Sequence, residues 1–139
     1  MAFWFRYSLN EGSILPAKDF PLDSTYAATA APGDVVRLNA SGNLVKALTT
    51  DTTVLGVLDG VSYDGVGVTP TKGKVRVSPD AIYEATKVGA GALIAGTAYG
   101  IDGSSNVDTA DTTTLIVKIV GTSGTTGNPL VVITARQLV

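Results

Sequence analysis

From Gly33 to Gly60 the chain alternates between short apolar bursts and polar breaks. Val35, Val36 and Leu38 are followed by Leu44, Val45 and Ala47, then by Val54, Leu55, Val57 and Leu58, with Asn39-Ala40-Ser41-Gly42-Asn43 and the polar run Thr49 to Thr53 between them. Short β-branched runs bounded by Gly, Asn and Ser are the signature of short strands, so the stretch predicts strand, turn, strand, loop, strand. A related pattern returns later. Placing Gly33 over Gly96 sets Leu38 over Ile101, Asn39 over Asp102, Ser41 over Ser104, Asn43 over Asn106, Leu44 over Val107, Ala47 over Ala110, and Thr49-Thr50 over Thr112-Thr113. A period of about sixty residues is longer than a solenoid unit, which points to two related β-layers of one domain.

Elsewhere the pattern is also one of strands. Val61 to Lys74 is rich in glycine, and Asp64-Gly65 predicts a hairpin turn or a long edge loop. Lys72, Lys74 and Arg76 recur at every second position, which on a strand places them on one face and Val75 and Val77 on the other. Such charges commonly guard a strand against stray pairing; with an acidic partner they become a secondary contact face. Ala81 to Lys87 fits a strand through Ile82 and Tyr83 or a single helical turn. Val88 to Gly96 reads as a loop into the second layer at Thr97 to Ile101, and Thr113 to Val120 as a central buried strand. Gly121 to Pro129 is a flexible loop or hairpin tip by composition, and Leu130 to Val139 a last strand. No sustained 3.6-residue period is present, so the expected class is all-β, a small β-barrel or sandwich of short strands with no helix beyond one or two turns.

Met1 to Pro32 differs in kind. It holds Phe3, Trp4, Phe5, Tyr7, Phe20 and Tyr26, interleaved with Pro16, Pro21 and Pro32. The division this suggests is an extended N-terminal arm at 1–32 and a single β-domain at 33–139. Phe3, Phe5 and Tyr7 alternate as on one strand face, which suits a contribution to the domain's own core. The same aromatics also suit an interface, because such residues are enriched at protein contacts. These six form the candidate contact set.

Composition then removes most chemistry. The chain has 139 residues, 45% hydrophobic and 16% charged, which is the balance of one folded domain. A net charge of -2 leaves no basic surplus for a nucleic-acid backbone. With no cysteine and no histidine, disulfides, thiolate metal sites, cysteine nucleophiles and the commonest general base are gone together. No signal-peptide pattern and no apolar run of membrane-spanning length occurs. Asp19 with Asp23, and Asp108 with Asp111, are ordinary loop acids before they are a carboxylate pair. Asp102, Ser104, Asn106 and Asp108 resemble the start of a calcium loop, but Val107 stands where its glycine belongs and Thr113 where its closing glutamate belongs. That stretch is read as a turn. No catalytic residue, metal or cofactor is expected.

The succession G-D-V-V-R-L from Gly33, Asn43-Leu44-Val45-Lys46-Ala47, V-L-G-V-L at Val54 to Leu58, K-G-K-V-R-V from Lys72 and G-T-A-Y-G-I-D from Gly96 resembles the capsid decoration, or cement, proteins of tailed bacteriophages. The resemblance covers Gly33 to about Val120. It implies a β-domain, often trimeric, that binds the outer surface of an assembled head, with an N-terminal arm gripping the major capsid protein or a neighbouring subunit. It brings no catalytic residues. Two other classes stay open: another phage structural component such as a tail, neck or fibre domain, and a carbohydrate-binding module or small hydrolase. The last would need a concave site lined by acids or aromatics, for which only Tyr63, Tyr83 and Tyr99 are available outside the arm.

Overall fold

The computed structural model describes residues 3–8, 17–65 and 67–138. Its strands are β1 (Phe3–Ser8), β2 (Ala17–Pro21), β3 (Val35–Leu38), β4 (Leu44–Lys46), β5 (Gly56–Ser62), β6 (Lys72–Arg76), β7 (Ala81–Ala85), β8 (Lys87–Val88), β9 (Ala98–Ile101), β10 (Val107–Asp108), β11 (Val117–Thr122) and β12 (Pro129–Ile133), with one helical turn, α1 (Ser24–Ala27), between β2 and β3. The fold is all-β, in two sheets of short strands. Asp23 starts α1, its carboxylate accepting from the amides of Thr25 and Tyr26.

The weak sequence repeat is a repeat of topology. The five-stranded sheet has the order β2-β6-β5-β3-β4, and the seven-stranded sheet contains β7-β12-β11-β9-β10 in the same arrangement, with β1 added beyond β7 and β8 beyond β10. β3 pairs with β4 as β9 pairs with β10, both antiparallel across the aligned turns. Gly33 and Gly96 both have positive φ, at 95° and 92°. The strand register shifts between Leu58 and Gly60 in β5 and between Ile119 and Gly121 in β11, so the two hairpins bulge at matching places. Each sheet also curls back on itself. Leu22, just past β2, bridges Leu44 of β4 in parallel, and Lys87, just past β7, pairs in parallel with Val107 of β10.

Two cores result from strand alternation. Val35 and Val57 of the first half face the seven-stranded sheet and share a core with Phe3, Tyr83, Ile101, Ile119 and Val131. Val36, Leu44, Leu55, Leu58 and Val75 point the other way and are covered by Leu22, Tyr26 and Ala27. Ala81 to Ala85, which fitted either a strand or a helical turn, is a strand buried throughout. The run from Thr113 starts later than its apolarity suggests. Leu115 is exposed with φ 46°, and the buried, interior strand begins at Val117. The last strand ends at Ile133, beyond which Arg136 makes an isolated bridge to Val54.

The expected division between an arm at 1–32 and a domain at 33–139 does not follow the packing. β1 pairs antiparallel with β7, setting Phe3 opposite Ala85, Trp4 opposite Glu84 and Phe5 opposite Tyr83, and the Phe3 amide donates to the carbonyl of Gly33 at 2.9 Å. β2 pairs with β6 along its whole length. The physical reason is that an extended aromatic stretch beside an open sheet edge satisfies its backbone groups and buries alternate side chains at once.

Candidate contact site along the first strand

The pleat of β1 divides the candidate residues between two faces. Phe3 and Phe5 point toward the other sheet and flank Tyr83, with ring centroids 6.1 and 6.3 Å from it. Trp4 takes the opposite face, beside its cross-strand neighbour Glu84. Phe3 is 1% exposed, whereas Trp4 and Phe5 are 47% and 37% exposed. Tyr7 has its backbone opposite Ile82, and its side chain lies outside the described residues.

Two members of the candidate set are corrected to core. Phe3 belongs to the larger core, and Tyr26 is buried with its hydroxyl donating to the Asp34 carboxylate at 2.6 Å. Burial first, then that bond and the charge on Asp34, push the Tyr26 phenol well above its ordinary range. Asp34 is itself buried, takes a bond from the Ala31 amide and lies 3.6 Å from the Lys46 ammonium. Phe20 is half-buried against the smaller core, which holds Tyr26.

The two contact faces proposed from sequence meet at Arg76 and Phe5. Lys72 and Lys74 are exposed on β6, but Arg76 turns inward at the seam between the sheets, its guanidinium 4.2 Å from the Phe5 ring centre and 3.4 Å from the Asp59 carboxylate. Around this seam is a crevice of about 370 Å³ lined by Phe3, Phe5, Gly33, Asp59, Arg76 and Tyr83. Tyr83 is buried, which raises its phenol pKa; nearby Arg76 lowers it and Asp59 raises it.

On the opposite face of β1 the sequence reading missed a polar cluster. Glu84 is 8% exposed, and its Oε2 accepts from the Thr126 hydroxyl at 2.8 Å and the Asn128 amide at 3.2 Å. Those bonds, with the charge on Arg6, hold its carboxyl below the usual range. Thr126 and Asn128 come from the β11–β12 connection, where the Ser123 amide donates to the Asn128 carbonyl and the Gly127 amide to the Ser123 carbonyl. The Gly, Ser and Thr of that connection signalled a turn; nothing in its sequence pointed back to Glu84.

The turn at Asp102 matches its reading. Its carboxylate accepts from the amides of Ser104 and Asn106 and from the Asn106 side chain. Among the described residues no helix is long and apolar enough to cross a membrane. No family model, no curated protein and no solved structure matches this chain.

Proposed function

We propose that this chain is a structural virion protein of the decoration, or cement, class, which binds the outer surface of an assembled tailed-phage head and stabilises it. Its partner is the major capsid protein, and it acts as a homo-oligomer, with a trimer as the favoured form. The observation that carries this reading is Trp4, a large aromatic left 47% exposed on the outer face of the rim strand of the larger sheet, with Phe5 partly accessible on the other face of the same strand. Accessible aromatics of this size act as anchors in protein contacts. The lysines at 72 and 74 stand exposed on the other sheet and suit an acidic capsid surface. A symmetric oligomer would present several copies of the aromatic anchor at once, so that modest single contacts add through effective concentration.

The resemblance of the Gly33 to Val120 segments to decoration proteins supports the same reading. The test is reconstitution: purified protein added to undecorated heads of the phage that encodes it should bind at regular surface positions and raise the temperature at which the heads break. Heads that neither bind the protein nor gain stability would overturn the proposal. Rings or tubes formed by the protein alone would assign it instead to a tail or neck.

A further inference from the structure

The outer face of β1 carries a second shape, a shallow crevice of about 450 Å³ lined by Trp4, Phe5, Arg6, Glu84, Thr126 and Asn128. That volume is in the range of small-ligand sites, about 300–1,000 Å³. One wall is apolar, the accessible indole of Trp4. The floor is a carboxylate fixed in place, because Glu84 Oε2 is held by Thr126 and Asn128 from the neighbouring hairpin. The rim is a cation, since the Arg6 side chain, 56% exposed, lies 3.9 Å from Glu84 Oε1. At that separation the two groups attract without a hydrogen bond between them, so a hydroxyl placed there can donate to one and accept from the other.

The charges also limit the ligand. Glu84 and Arg6 cancel, so an ionic ligand gains little from entering, while a neutral ligand rich in groups that both donate and accept finds a match for each. An aromatic wall beside such a pair suits a ring with an apolar C–H face and a hydroxyl rim. From this we infer that the crevice binds a neutral sugar ring of an oligosaccharide, its C–H face on Trp4 and its hydroxyls bridging Glu84 and Arg6. Holding the carboxylate by the hairpin before the ligand arrives lowers the ordering cost of binding. The crevice shares Trp4 with the proposed capsid contact, but sugar binding is read on the isolated protein and capsid binding on heads, so either can fail alone.

Trp4 is the single tryptophan of the chain, so any change in tryptophan emission reports the surroundings of this one residue. Titration with lactose, maltotriose and diacetylchitobiose should give a saturable emission change with at least one of them, with a dissociation constant of about a millimolar, as expected for a shallow single-ring site. Glu84→Gln should weaken that binding about tenfold or more, because the bridged hydroxyl loses its charged acceptor. Arg6→Ala, at a surface position, should also weaken it while leaving the melting temperature unchanged. No saturable change with any neutral sugar would overturn the inference, as would binding confined to sialyllactose or binding that survives both substitutions. An emission shift that follows protein concentration and not sugar would also overturn it, by showing that a second copy covers Trp4.

Discussion

Asn39 and Asp102 hold the same turn in the two halves of the molecule. Asn39 Oδ1 accepts from the amides of Ser41 and Asn43 at 2.9 and 3.0 Å, and Asp102 Oδ1 from the amides of Ser104 and Asn106 at 3.0 and 2.8 Å. The residue in left-handed backbone is Gly42 in one copy, φ 79°, and Ser105 in the other, φ 58°. Asp102 differs in being charged and in taking a third bond from the Asn106 side chain at 2.8 Å. Bonds to charged groups contribute more than neutral ones, so Asp102→Ala should cost about 1.5–3 kcal/mol and Asn39→Ala about 1 kcal/mol. Urea unfolding of both variants checks the order, and a larger loss at Asn39 would contradict it.

Tyr26 separates core from contact. Removing its hydroxyl leaves the buried Asp34 carboxylate short of one donor, so Tyr26→Phe should cost about 1–3 kcal/mol of stability. Capsid binding by the folded variant should be unchanged. A stable variant that binds poorly would return Tyr26 to the contact set.

Acid should act on the second half through Asp111. Its carboxylate accepts from the Thr114 hydroxyl, the amides of Thr113 and Thr114 and the Thr113 hydroxyl, which lowers its pKa from 3.8 to about 2. Because the folded value is the lower one, the carboxylate stabilises the fold fully above the unfolded pKa and loses that contribution as pH falls through about 4 toward 2. The depressed pKa of Glu84 works in the same direction. Melting temperature should therefore fall between pH 5 and pH 2, and in Asp111→Asn the fall should be shallower from a lower start. A wild-type melting temperature that is flat across this window would contradict the assignment.

The strands were legible because short β-branched runs and Asx turns are local signals. The repeat was legible for the same reason: Asn39 with Asn43 and Asp102 with Asn106 occupy matching positions in each turn. The sides of β1 were only half legible. Alternation places Phe3 and Phe5 on one face, but their exposures of 1% and 37% differ because Phe3 lies under the first half while Phe5 reaches its rim, which is a fact of sheet packing. Glu84 was invisible for a similar reason. Its partners Thr126 and Asn128 are distant in sequence and are brought to it only by the β7–β12 pairing.

The proposed capsid role makes Trp4 an anchor for attachment and not a support of the fold, unlike Phe5, which also packs on Tyr83 and Arg76. Deleting the strand does not test this cleanly, since Phe3 would leave the core with it. The direct measurement is the affinity of Trp4→Ala for undecorated heads, by co-sedimentation, beside its melting temperature. A large aromatic anchor is worth about 2 kcal/mol or more in a contact, so binding should weaken about thirtyfold per site while the melting temperature stays within about 2 °C of wild type. Undiminished binding by the folded variant would contradict the claim.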